Sequence, residues 1–216
     1  MRKLIFFVSL VGLYGADPPP QPCATSETCW TLLERGNENW WNTKGHGLTH
    51  PNQTPDRRLA VKDHQNPFAI VLSCSDSRLP PEVVFDRGVG DLFVIRLAGN
   101  VLDDFAIGSI QYVVEVRKYT KLIVVLGHQR CGAIEAAVAG KPFPPNPLGL
   151  LLKALQPAVK ASRKWPGDRV ENAVDANIHL VANRLEARFK ASGVIVKRKR
   201  YSLDTGEVTD PQPWKP

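Results

Sequence analysis

Two apolar runs, each closing on a pair of reactive side chains, constrain this chain more than any other feature. Phe68-Ala-Ile-Val-Leu-Ser73 leads into Cys74-Ser-Asp-Ser-Arg78, and Leu122-Ile-Val-Val-Leu-Gly127 leads into His128-Gln-Arg-Cys131. Both runs have the length and β-branched content of buried strands. Lying parallel and side by side, they would deliver Cys74, His128 and Cys131 to one edge of a sheet, where open α/β folds collect their ligands. Thiolate sulfur and imidazole nitrogen are zinc donors, and a Cys2His set leaves the fourth tetrahedral position to water or substrate, as catalytic sites do. On spacing alone, the alternative is two buried cysteines and a histidine in unrelated places. Asp76 and Arg78 bear on that choice. Asp76 can fill the fourth position itself, or turn to the guanidinium of Arg78 as a bidentate pair and leave the position to water. The plainer use of Asp76 is to cap a helix starting near Pro80.

Around these runs, strands alternate with helices, which predicts an α/β fold with a mostly parallel central sheet flanked by helices. Helices are expected over Glu27–Trp41, Asp56–Asp63, Pro80–Phe85 and Gly132–Val138. Another runs from the Asp103–Asp104 caps to about Lys118. Leu148–Arg163 is expected to be broken or kinked at Pro157, and Asp168–Lys190 is the longest helix. Further strands are expected at Leu92–Arg96 and at Val194–Tyr201, with the third apolar strand over Lys121–Leu126. Ala98-Gly-Asn100 is a turn without bulk that lets other groups approach, and Asp204-Thr-Gly206 is another turn. His46 and His50 fall in a loop where their spacing carries no geometric meaning, so they are expected in solvent. With 216 residues and no internal repeat, the chain is read as a single domain over 29–216, preceded by a Pro-rich flexible arm over 17–28.

The first sixteen residues read as an address. Met1-Arg-Lys3 is basic, Leu4–Leu13 is apolar but too short for a comfortable membrane span, and Gly15-Ala16 is small. This predicts a signal peptide over 1–16 and export, to the periplasm in a bacterium, with no stable membrane insertion once it is cleaved. Tyr14 spoils the usual cleavage pattern, so an uncleaved anchor is the alternative. Of the four cysteines, Cys23 and Cys29 stand six apart and outside the metal set. In an oxidising compartment they could close a local disulfide; otherwise they are free thiols in an arm. The net charge of +7 is concentrated partly in Lys197-Arg-Lys-Arg200. Val194-Ile-Val196 before it and Tyr201 after it favour a charged edge strand over a nucleic-acid patch.

Taken together, Leu33-Glu-Arg-Gly-Asn37, Gln65-Asn-Pro67, Cys74-Ser-Asp-Ser-Arg78, Gly90-Asp-Leu-Phe93, Ala98-Gly-Asn100, Gly108-Ser-Ile110 with Tyr112, and Gly127-His128 through Cys131-Gly-Ala133 resemble the β-class carbonic anhydrases, over about Leu32–Val208. The resemblance implies reversible hydration of carbon dioxide to bicarbonate and a proton by a zinc-bound hydroxide. It further implies one Zn2+ per subunit and a homodimer or dimer of dimers. Residue by residue, it makes Cys74, His128 and Cys131 the zinc ligands, with Asp76 as a possible fourth, and Asp76 with Arg78 the catalytic dyad. It assigns Gln65, Phe93, Tyr112 and Gly132 to substrate, with Gln65 serving the neighbouring subunit's zinc. Matching Tyr112 requires one extra residue within Arg117–Thr120. Leu97 stands where many members have asparagine, and Lys199 replaces a residue that is often small. Rival readings are a hydrolase of carbonyl sulfide or carbon disulfide on the same site, and a non-catalytic zinc- or anion-binding module. The latter has no use for Gln65, Asp76 and Arg78.

Overall fold

The two apolar runs form the centre of a five-stranded sheet. The computed structural model describes residues 20–42, 47–140 and 143–214, so the expected signal peptide and His46 lie outside the described residues. β1 (Ala69–Ser73) and β3 (Leu122–His128) pair in parallel with Ser73 opposite Leu126, and every residue of both is buried. Burial that complete needs cover on both faces, which is why neither strand shows polar alternation. β2 (Leu92–Arg96) flanks β1 and β4 (Ile195–Tyr201) flanks β3, both in parallel. A two-residue β5 (Val208–Thr209) adds antiparallel to the end of β4, giving the order β2-β1-β3-β4-β5. The chain leaves β1 on one side for β2 and comes back on the other side for β3. The order therefore reverses between β1 and β3, and a crevice opens at their carboxyl ends.

Seven α-helices are present among the described residues: α1 (Ser26–Trp41), α2 (Pro55–Ala60), α3 (Pro81–Val84), α4 (Asp104–Gln111), α5 (Gly132–Val138), α6 (Pro147–Ala161) and α7 (Arg169–Phe189). α7 buries one stripe, with Ala173, Val174, Ile178, Val181, Leu185 and Phe189 in the core and Val170 partly buried against it. Its approach to β3 depends on Gly127: a Cβ there would stand 2.7 Å from Ile178. α6 runs through Pro157, so the expected break is absent from its helical span.

Other expectations change as well. The helix predicted through Lys118 stops being α-helical at Gln111 and continues as a π-helix over Tyr112–Arg117, closed by Lys118 in the left-handed region. A π turn takes in one residue more than an α turn. β3 extends two residues further than predicted, through His128, because the ladder continues until His128 faces Tyr201 of β4. Finally, the edge strand β4 is covered at its end, where β5 pairs with Arg200 and Tyr201, while Ile195–Lys199 pair with β3 alone. Its four cations each meet a carboxylate: Lys197 with Glu27 at 3.4 Å, Arg198 with Glu186 at 2.7 Å, Lys199 with Asp210 at 2.8 Å, and Arg200 with Glu171.

From Pro20 onward, the segment expected as a flexible arm is docked on the domain. Gln21 Nε2 donates to the carbonyls of Pro67 and Tyr119, Ser26 Oγ to the carbonyl of Lys121 at 3.1 Å, and a disulfide joins Cys23 to Cys29 on α1. Two free thiols, Cys74 and Cys131, are therefore expected when the denatured, metal-free protein is titrated; four would refute the pairing. Cys23→Ser should cost about 2 kcal/mol in urea unfolding, the chain-entropy value for so short a loop.

Candidate metal centre

The carboxyl ends of β1 and β3 bring three donors together. Cys74 follows β1 directly, His128 is the last residue of β3, and Cys131 caps the start of α5. All three are buried, and their ligand atoms lie within 4.8 Å of one another. The two sulfurs are 4.0 Å apart, close to the roughly 3.8 Å spanned by two thiolates on one tetrahedral zinc. His128 Nδ1 lies 2.8 Å from the carbonyl of Gln129, a partner that fixes the tautomer and turns Nε2 inward. Nε2 itself is buried without a hydrogen-bond partner, which a protein seldom tolerates unless the atom ligates something.

The electrostatics suit a cation. A hydrogen bond from Cys131 lowers the Cys74 thiol well below its usual range, and His128 and the backbone N–H of Gly99 act in the same direction. That same bond, together with burial, pushes Cys131 up. A thiophilic cation binds such thiols as thiolates and displaces their protons.

Asp76 does not cap α3. That helix starts from Pro80 with no side-chain cap, and both Asp76 oxygens go instead to Arg78. Arg78 Nε donates to Oδ1 at 2.9 Å and Nη2 to Oδ2 at 2.8 Å, while the Arg78 backbone N–H adds a third bond at 3.0 Å. The guanidinium holds Asp76 well below the usual carboxylate range, so it is ionised at neutral pH. Asp76 Oδ2 lies 3.9 Å from His128 Nε2, beside the donor cluster. Gly132 opens α5 immediately after Cys131, and open space lies where its Cβ would be.

Two supports escaped the sequence reading. Arg96 ends β2 and donates to the carbonyls of Cys74 at 3.1 Å and Asp76 at 2.6 Å, fixing the backbone that carries both. An arginine closing an apolar strand was the available signal. Gly99 donates its N–H to Cys74 Sγ at 3.2 Å, from a left-handed φ of 66° and with Leu155 3.0 Å from where a Cβ would be. The turn was legible as a place of close approach, but its partner was not.

The remaining substrate residues are not brought to this cluster within one chain. Phe93 pairs with Ile70, four residues and so roughly 13 Å of strand before Cys74. Gln65 is exposed still further back, ahead of the start of β1. Tyr112 sits on the surface where α4 passes into the π-helix, 43% exposed.

The family model described as "Carbonic anhydrase" matches residues 69–208. Carbonic anhydrase 2 of Mycobacterium tuberculosis is 36% identical over 197 residues, covering 87% of this chain and 93% of that protein. A carbonic anhydrase of Mycolicibacterium smegmatis is 35% identical over 173 residues, covering 79% and 82%. Among solved structures, the Coccomyxa beta-carbonic anhydrase in complex with acetazolamide superposes with a TM-score of 0.63 at 25% identity, covering 69% of this chain and 74% of that one. With its ligand triad at the sheet's switch point and relatives matched over most of their length, the chain belongs to the carbonic anhydrase family, in the β class.

Proposed function

We propose that this protein catalyses the reversible hydration of carbon dioxide to bicarbonate and a proton, using one zinc ion held by Cys74, His128 and Cys131. The observation that carries this reading is the buried, unpartnered Nε2 of His128, facing two buried thiols beside an ionised Asp76–Arg78 pair. Bound zinc supplies a water acidified to a pKa of about 7 and therefore nucleophilic near neutrality. The chain's own groups do the rest. Asp76 accepts a hydrogen bond from the nucleophile and orients it. Arg78 holds that carboxylate in its orientation, and Arg96 fixes the backbone beneath both.

Carbon dioxide is small and apolar, and it asks for an apolar wall with one donor. Phe93 and Tyr112 are suited to the wall and the Gln65 amide to the donor, in a site completed by a second copy of the chain. The support for a dimer is that these residues lie away from their own chain's donors. In addition, edge strand β2 is half-exposed along its length, and Phe105, Tyr112 and Val116 are 86%, 43% and 65% exposed. An exported, periplasmic enzyme is supported by the sequence of residues 1–16 and by the Cys23–Cys29 bond, which suits an oxidising compartment. Among the described residues, no helix is long and apolar enough to cross a membrane.

The test is stopped-flow carbon dioxide hydration from acid to alkaline pH, with zinc quantified in each sample. The expected outcome is activity proportional to zinc up to about one ion per chain, already present at neutral pH because Arg78 engages both Asp76 oxygens. Rates indifferent to zinc content, or faster turnover of carbonyl sulfide or carbon disulfide, would refute it.

A further inference from the structure

Two residues, Gln129 and Arg130, separate His128 from Cys131, and the backbone between them is held from outside the turn. Gln129 continues the β-ladder, its N–H donating to the carbonyl of Tyr201 at 3.1 Å, and its side-chain oxygen accepts from the backbone N–H of Leu203 at 2.8 Å. Arg130 lies in the left-handed region with φ of 49°, a conformation that a residue bearing a Cβ keeps only when its surroundings impose it. Its N–H donates to Glu171 Oε1 at 2.8 Å. The other Glu171 oxygen accepts from Arg200 of β4, and Arg200 also reaches Asp175 Oδ2 at 3.3 Å, one turn further along α7. Asp175 is fully buried and Glu171 only 22% exposed, so neither partner of Arg200 is a loose surface group.

We infer that Glu171 is a positioning residue for the metal, an inference that rests on the zinc reading above. One carboxylate ties the first turn of α7 to the Arg130 amide, while Arg200 fixes that carboxylate to the neighbouring strand. Arg130 is thereby held in the one backbone conformation that keeps His128 Nε2 and Cys131 Sγ converged. Glu171 touches neither the donors nor the substrate. It sets the bite of two ligands, as groups behind a metal's direct ligands do elsewhere. Nothing in the local sequence His128-Gln-Arg-Cys131 reveals this, because the brace arrives from 41 residues downstream.

The experiment follows zinc transfer from the zinc-loaded protein to excess EDTA. It compares wild type, Glu171→Ala, Glu171→Gln and, as a control, Asp103→Ala. The control removes the α4 cap, which accepts from the Ala106 N–H at 2.8 Å and does not touch the turn. Glu171→Ala is expected to release zinc ~10-fold faster or more, in the range found for groups behind the ligands. Glu171→Gln keeps an oxygen for Arg130 but offers an amide N–H to Arg200, so its rate should fall between wild type and alanine. It carries the test if the alanine variant does not fold. Asp103→Ala should melt earlier yet release zinc at the wild-type rate. Wild-type release from both Glu171 variants would overturn the inference, as would release from Asp103→Ala as fast as from Glu171→Ala. Wild-type protein that takes up no zinc would overturn the zinc reading itself and this inference with it, and it is told apart because the wild-type sample alone reveals it.

Discussion

Cys131→Ser is expected to empty the metal site and abolish carbon dioxide hydration while leaving the fold in place. The residue is 1% exposed, and its sulfur lies 4.0 Å from that of Cys74 and belongs to the only group of three or more metal-capable donors found among the described residues. A serine hydroxyl is harder, shorter and far less acidic, so it contributes little to a thiophilic cation. Zinc held by such donor sets is bound with about 12 kcal/mol, so removing one of three ligands should cost roughly a third of that, or ~10^3-fold in affinity. The fold does not depend on this residue in the same way. β1 and β3 are buried along their whole length by apolar packing, and far-UV circular dichroism should remain that of wild type. Zinc measured after dialysis against a micromolar chelator, alongside stopped-flow rates, checks both halves. A variant that keeps one zinc per chain and the wild-type rate would remove Cys131 from the ligand set.

The strands that carry these ligands were legible because burial on both faces leaves an uninterrupted apolar run, and the reactive residues sit directly at its end. His128 and Cys131 lie three apart across a strand-to-helix turn, a distance that local sequence can judge. Cys74 needed one further assumption, that β1 and β3 are parallel neighbours, and the strand pairing supplies it. Features fixed by distant partners were less legible. Lys197 to Arg200 read as a charged edge strand, but the residues that neutralise it, Glu27, Glu171, Glu186 and Asp210, come from α1, α7 and the segment after β5 and were not legible. The π turn at Tyr112 leaves no mark in hydrophobic periodicity, since Val113 and Val114 are buried in either kind of helix. Gln65 and Phe93 had a role only through resemblance. Within one chain Phe93 stands four residues of strand back from Cys74, so no single-chain pattern links them to the donors.

The second large effect is expected from Asp76→Asn, which should keep its zinc and lose most of its turnover. The three converging donors do not include Asp76, so exchanging its carboxylate for an amide leaves the ligand set whole. What changes is the pair with Arg78. Both oxygens now accept from the guanidinium at 2.9 and 2.8 Å, whereas an asparagine must turn its NH2 toward Arg78 or toward the donor cluster. In the first orientation two donors face each other and the clamp opens. In the second, a donor stands where the mechanism needs an acceptor. Either way the nucleophile loses the group that orients it, and a decrease of ~10^2- to 10^3-fold in kcat follows from the usual worth of a positioned proton acceptor. Arg78→Ala should cost less than Asp76→Asn, because the carboxylate remains ionised and keeps the backbone N–H of residue 78 as a donor at 3.0 Å. The comparison separates two roles, since a purely structural Asp76–Arg78 pair would make the variants equally harmful and would lower Tm rather than kcat. Zinc content, Tm and kcat measured on the same samples decide it. Full turnover in zinc-loaded Asp76→Asn would show that this carboxylate only braces the loop after β1.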